Sequence, residues 1–361
     1  MMPPVECKRN VQRSRGQSGS ILIVVLWILV ILTIFAAGIS KRGQVNTALA
    51  RYAVGEMRAK YMALSGLQYV AARIAQDGAD EESVKFDTLY QCGFVLGEGL
   101  SVTKLFKHVP VPGGYFDIVT SWQRADGQIR YGMSDEESRL NLNAVNAADY
   151  QVLKFLIMDA GFEEDTAQTI AVSVVDWADQ DSIVFEPDSK KNAKSGSEQL
   201  AAKNFSFQSL EELLLVEGMT PEIFAVIKDQ LTVFPQNGPL AVNFNTASPA
   251  VLRSLARNFT GDRTNTDVID GDSLAQKILM YRRGLDSVEG TLDDPVVEAQ
   301  ELRLNRRENS IMAQMEAYRA RVSNFLRLGV RAVDEKSGVV FRAEAVLSRT
   351  DGKIVYWHRI H

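Results

Sequence analysis

Residues 20–38 read SILIVVLWILVILTIFAAG, nineteen positions without a charge, and the leader just before them, KRNVQRSRGQSG, carries Lys8, Arg9, Arg13 and Arg15. At about 1.5 Å rise per residue, a helix over this run is long enough to cross the hydrocarbon core of a bilayer. The four cations hold its start on the cytoplasmic side and put the bulk of the chain on the far side. A secretory signal peptide could end at Ala36, Ala37 and Gly38, but its apolar part would be unusually long. A plain membrane anchor satisfies the same pattern and requires no processing.

The rest of the chain has the composition of a soluble protein. The whole chain of 361 residues is 46% hydrophobic and 24% charged, ordinary for a globular protein and long enough for two soluble domains beside the anchor. A net charge of -5 argues against a nucleic-acid surface. The cysteines are Cys7, in the leader, and Cys92, so an internal disulfide is not expected and stability must come from core burial or bound metal. His108, His358 and His361 are too few and too scattered for a zinc set.

Beyond the anchor the apolar pattern becomes periodic. Val45, Leu49, Tyr52, Leu64, Leu67, Ala71 and Ile74 fall on one helical face, which predicts a single helix from Ser20 to about Gln76, roughly 85 Å long. Gly38, Gly43, Gly55 and Gly66 each weaken it by about 1 kcal/mol, and a kink is expected near the membrane exit. Residues 115–120 and 128–133 then read as an antiparallel hairpin turning at Asp126-Gly127. Strand texture returns only at 325–333, 339–347 and 353–358, with turns at 336–338 and 350–352. Strands at both ends with helices between them predict an α+β fold in which one antiparallel sheet is interrupted by an inserted helical domain.

The insertion contains an internal repeat. NAADYQVLKFL, residues 146–156, matches NTASPAVLRSL, residues 245–255, which places Asn146 and Asn245 in turns that cap helices. Between the copies, Ser209 to Glu212 reads as a capping box and Thr220-Pro221 as a helix start.

Three features carry a resemblance to a known family. Gly19, at the border of leader and apolar run, resembles the cleavage point of a type IV prepilin, which would leave a mature chain beginning at Ser20. Most pilins and pseudopilins then carry a glutamate as the fifth mature residue, tolerated in lipid because it pairs with a neighbour's terminal amine; here the position is Val24. The segments SDEESRLNLN (134–143), VVDWADQD (174–181), LEELLLVEGM (210–219) and VNFNTA (242–247) complete the likeness. The chain is similar along nearly its whole length to the K-type minor pseudopilin of type II secretion systems. That resemblance implies a leader at 1–19, a transmembrane and amphipathic helix at 20–78 and a pilin-like α/β domain beginning at 79–134. It further implies a helical domain resembling helix-hairpin-helix units inserted at 135–290, and a linker helix with the remaining strands at 291–361. The implied function is that of a subunit at the tip of a periplasmic pseudopilus in the machinery that exports folded proteins. Its implied partners are the other minor pseudopilins of the tip complex, the inner-membrane components of the system and prepilin peptidase.

Catalytic motifs are lacking: the sequence has no phosphate loop, no His-Glu-x-x-His and no Gly-x-Ser-x-Gly turn, so an enzyme is not expected. The candidate site is acidic, comprising Asp176, Asp179, Asp181, Glu186, Asp188 and, after Gly196-Ser197, Glu198. Clustered carboxylates repel unless a hard cation intervenes, and calcium accepts such oxygens at flexible geometry. The spacing is not that of an EF-hand, because Val184 stands where its glycine would be. The family resemblance adds calcium in the inserted domain. Two rival readings remain, a membrane-anchored DNA-uptake receptor gripping phosphates through helix-hairpin-helix turns and a tip subunit of a type IV pilus. Acids in the turns 158–165 and 216–219 oppose the first.

Overall fold

The computed structural model describes residues 18–97, 99–120, 129–179, 185, 203–260 and 265–360. Helix α1, Ser18–Gly78, is 61 residues long, about 90 Å. Helical hydrogen bonding continues through Gly38, Gly43, Gly55 and Gly66, since glycine weakens a helix without removing a donor as proline does. The chain divides into two compact units, Met1–Met57 and Arg58–His361. In the first, every described side chain from Ile21 to Val54 is exposed, Val45, Leu49 and Tyr52 among them. In the second, the last turns of α1 bury Ala59, Met62, Ala63, Leu67, Val70 and Ile74. The buried stripe is therefore rotated from the predicted one: Leu67 and Ile74 belong to it, and Leu64 and Ala71 lie at its margin. Gly66 marks the closest approach of helix to sheet, because a Cβ there would stand 3.1 Å from the Phe116 ring.

The sheet follows the predicted split. Short helix α2, Val102–Phe106, precedes β1, Val109–Val111, and β2, Gly114–Val119; β3 is Ser134–Asp135. Among the described residues, the chain returns to the sheet with β8, Phe325–Asp334, β9, Val340–Ser348, and β10, Ile354–Ile360. These form a six-stranded sheet of order β1-β2-β8-β9-β10, with β3 also on β8. Among the described residues its strand pairings are all antiparallel. The turns after β8 and β9 place Gly338 and Gly352 at φ of +71° and +65°, as their Gly signals predict.

The hairpin expectation needs correction. Its turn lies outside the described residues, and its return run makes no strand on β2 beyond a bridge between Val119 and Tyr131. Residues 130–132 meet only the end of β2, because β1 already holds its first half. The chain then passes Gly132, at φ +110°, and moves to β8, where Ser134 and Asp135 pair with Arg327 and Leu326.

Residues 136–324 form the insert. Its strands are two-residue ladders: β4, Leu140–Asn141, runs parallel to β5, Leu231–Thr232, and β6, Val242–Asn243, parallel to β7, Arg319–Ala320. Its helices are α3, Tyr150–Asp159; α4, Glu164–Ala178; α5, Pro221–Ile227; α6, Pro249–Asn258; α7, Asn265–Tyr281; and α8, Arg306–Met315. One core joins them, including Leu153, Ile170, Leu252, Ile278, Met312 and Met315. The helical part therefore closes after Met315, later than the predicted 290, because α8 buries Ile311, Met312 and Met315 in that same core. Thr220 caps α5 and Pro221 begins it, as expected. The predicted capping box at Ser209 is absent: residues Leu210–Leu215 form a 3-10 turn, and Glu212 reaches the backbone N–H of Gln208. A genuine box occurs at Asn305 and Glu308, at the start of α8.

Candidate functional site

The motif at 134–143 forms the joint between sheet and insert, and it is built of buried acids. Asp77, Asp87, Asp135, Glu136 and Glu137 are all buried. Burying a carboxylate costs several kcal/mol unless charge and hydrogen bonds replace water, and the joint supplies both. Arg349 donates to Asp77 and, at 2.6 Å, to Asp87. Arg327 pairs with Glu136 and, at 3.0 Å, with Glu344. Ser323 donates through its backbone to Asp87 at 2.7 Å and through its hydroxyl to Glu137. Asn243 and Thr246, from the insert, donate to Asp135 Oδ2 at 2.6 and 2.7 Å.

The electrostatics of these acids diverge. Burial pushes Asp87 up to about 6 even though Arg349 pulls the other way. Burial, reinforced by the neighbouring Glu137, raises Asp135 to about 6, and its Oδ1 has no hydrogen-bond partner among the described residues. Burial raises Glu137 as well. Glu136 is equally buried, but Arg327 and Arg139 outweigh that and hold it at about 2.

The asparagine repeat sits beside this joint. In helix register Asn146 and Asn245 correspond, since α3 and α6 begin at equivalent positions, yet neither is the cap. The caps are Asp149, which makes no side-chain bond to the helix, and Ser248, which accepts from Val251 N–H at 3.3 Å. Asn146 is exposed and closes a local turn, accepting from Ala148 N–H at 2.7 Å. Asn245 is buried and ties distant segments: its Oδ1 accepts from Val297 N–H at 2.8 Å and its Nδ2 donates to the Asp87 carbonyl at 3.2 Å. In strand register its counterpart is Asn143, which accepts from Phe207 N–H at 2.7 Å and donates to the Phe207 and Val233 carbonyls. The signal was in the sequence as Leu-Asn-Leu-Asn against Val-Asn-Phe-Asn, three residues out of step with the helix match.

Among the described residues, two acidic groups bear on cation binding. Asp176 and Asp179 stand in the last turn and at the C-cap of α4, where the helix dipole disfavours negative charge. Asp176 Oδ1 accepts from Phe185 N–H at 2.7 Å. Asp181, Glu186, Asp188 and Glu198 lie outside the described residues. The second group, which the sequence reading missed, is Asp286, Asp293 and Asp294, whose carboxylate oxygens lie within 4.8 Å of one another. Asp293 is held below the usual carboxylate range by Thr291 and by the backbone N–H groups of Leu285 and Asp286. Only the close spacing of Asp286, Asp293 and Asp294 on either side of Gly290 pointed there.

Other features bear on chemistry. Burial pushes the Cys92 thiol well above its ordinary value, so it stays protonated and sealed. A cleft of about 560 Å³ on the sheet and insert is lined by charges of both signs, including Arg139, Lys228, Arg327, Glu211 and Glu344. Three arginines of the basic clusters at 281–283 and 303–307 have partners within the chain. Arg282 is buried on the carbonyls of Phe244 and Ala247, Arg283 lies 3.6 Å from Glu289, and Arg307 lies 3.4 Å from Asp270. At Gly218, in one helix-hairpin-helix-like turn, a Cβ would stand 3.2 Å from Ile170 and 3.3 Å from Thr169.

Comparison with known proteins bears on the same segments. Residues 138–236 match the family model described as type II secretion system protein K. The chain is 24% identical over 266 residues to the type II secretion system protein K of Pseudomonas aeruginosa, covering 70% of this chain and 72% of that one. Its fold is similar to a chain in the crystal structure of the GspK-GspI-GspJ complex from the type 2 secretion system of enterotoxigenic Escherichia coli. That match has a TM-score of 0.55 at 16% identity and covers 84% of this chain and 96% of that one.

Proposed function

The chain belongs to the type II secretion system protein K family of minor pseudopilins, and from that footing we propose that it acts at the tip of the pseudopilus. In this reading α1 anchors it once in the inner membrane, the soluble unit lies in the periplasm, and its work is mechanical and recognitional with no catalytic step. The observation that carries the reading is the insert at residues 136–324, placed between β3 and β8 of the sheet. So large an addition suits a terminal subunit better than a repeating one. Val24 agrees with it: exposed on α1, it offers no carboxylate for a neighbouring subunit's amine.

Several finer elements follow. Prepilin peptidase cuts after Gly19, leaving Ser20 as the mature terminus with the helix retained. The partners are other minor pseudopilins, the counterparts of the GspI and GspJ that accompany the Escherichia coli chain, together with the inner-membrane components of the system. Calcium binds the inserted domain through the acidic end of α4, with Asp176 and Asp179 contributing, because a cation there offsets both the clustered charge and the helix dipole. Labelling assembled filaments with an antibody against the insert tests the tip assignment. One decorated end is expected, and decoration spaced along the sides would refute it.

A further inference from the structure

The loop that follows α7 is fixed in shape by its own carboxylates. Asp293 Oδ2 accepts from the backbone N–H groups of Leu285 at 2.7 Å and Asp286 at 3.2 Å. Asp286 Oδ1 accepts from Val288 N–H at 2.8 Å, and Asp294 Oδ2 from Gly290 N–H at 2.6 Å. Arg130 reaches across from the end of the pilin-like region to donate to the Glu289 carbonyl at 2.9 Å. Gly284 and Gly290 take φ of +62° and +82°, and a Cβ on either would crowd Asp293 or Arg130. On this fixed backbone Leu285 is 97% exposed, Leu292 79% and Val288 54%.

A single exposed leucine is ordinary. Three apolar side chains within eight residues, on a backbone tied down by this many bonds, are different in kind. The ordering that docking would otherwise cost has already been met within the fold, and rigid apolar anchors of this type dominate interface energetics. We propose that loop 284–292 is a docking element that inserts Leu285 and Leu292 into an apolar pocket, rimmed by lysine or arginine, on a partner protein. Charge selects that occupant. Asp286 and Asp293 directly follow Leu285 and Leu292 in the chain and cluster with Asp294, so an anionic lipid surface is repelled, and a second copy meeting loop to loop would set acid against acid. The inference goes beyond the filament reading and does not depend on the chain's position in a filament.

The test uses the full-length chain in its own membrane, in cells that carry the secretion machinery, with a photo-reactive benzophenone residue at Val288. The expected result is an adduct with one protein whose cross-linked peptide combines apolar residues with Lys or Arg. Its yield should fall about tenfold or more in the Leu285→Ser, Leu292→Ser double variant, and should also fall when ionic strength is raised in isolated membranes. The same probe at Leu214 should not capture that protein. Both leucines are solvent-facing, so the serine variant should retain the parent's protease resistance. Adducts only with lipid, only with a second copy of this chain, or with no molecule at all would overturn the proposal. So would an adduct that survives the double substitution or strengthens with salt.

Discussion

Two groups of acids in this molecule have opposite physics. In the joint, Asp77, Asp87, Asp135, Glu136 and Glu137 are buried together and are held by arginines and by hydrogen bonds from distant segments. In the loop after α7, Asp286 and Asp293 are exposed and Asp294 half-buried, and all three spend oxygens on backbone N–H groups close by. Burial lifts Asp87 and Asp135 toward 6, whereas local donors lower Asp293. The first group stabilises a long-range junction at high electrostatic risk, and the second shapes a local turn at little risk. Acid content alone therefore says nothing of role; the identity and sequence distance of the donors decide it.

The contrast can be broken most forcefully at Arg349. Replacing it by methionine leaves Asp77 and Asp87 buried without their cation, an expected loss of about 3–5 kcal/mol in chemical denaturation. Asp293→Asn in the loop should cost well under half of that. If the two variants unfold alike, the distinction between junction and turn fails.

The calcium proposed for the insert carries the next largest expected effect, and its test tells the acidic groups apart. A cation that binds only the native state adds roughly 2.7 kcal/mol at a hundredfold excess over Kd, so chelation should lower the melting temperature. Asp176→Asn should abolish that chelator response if the end of α4 holds the ion. Abolition by Asp293→Asn instead would move the site to the loop, and no response in metal-free protein would remove calcium altogether.

The repeat supplies a smaller, sharper comparison. Asn245→Ala strands the Val297 N–H and should cost about 1–3 kcal/mol, and Asn143→Ala should behave similarly. Asn146→Ala, at an exposed turn, should cost less than about 1 kcal/mol. Equal losses at Asn146 and Asn245 would restore the helix-register pairing as the meaningful one.

A pH dependence follows from the joint. For Asp87 and Asp135 the folded value of about 6 lies above the ordinary 3.8, so the folded state binds more protons between these values. Their contribution is full below about pH 3.8 and is lost as pH rises through 6. Glu136, held at about 2 against an ordinary 4.5, works oppositely: its contribution is present above 4.5 and lost as pH falls toward 2. Stability should therefore peak in the mildly acid range, and Asp135→Asn should flatten the decline between pH 4 and 6 in a melting series.

Much of the architecture could be read from the chain. The long apolar first helix, β8, β9, β10 and their glycine turns, and the split of the sheet by a helical insert all rest on local signals: apolar continuity, period-two alternation and turn chemistry. Local signals misled where competition decided. The return run after β2 could have completed a hairpin, but β1 had taken half of that edge and β8 offered another. Ser209 and Glu212 had the spacing of a capping box, yet the segment tightened into a 3-10 turn and Glu212 bonded one residue earlier.

The candidate site divides along the same line. The sequence by itself determined that acids cluster in the insert, that Asn146 and Asn245 share a helix register, and that residues 20–38 can span a bilayer, because composition and periodicity are properties of neighbouring residues. Only the tertiary structure decided that Asp135 would meet Asn243 and Thr246, that Arg349 would bridge Asp77 and Asp87, and that Asn245 would join Asp87 to Val297. Those partners lie up to 272 positions apart. Spacing in the chain carries no trace of them, since a buried charge takes whichever donor the closing of the sheet around its insert brings within hydrogen-bond reach.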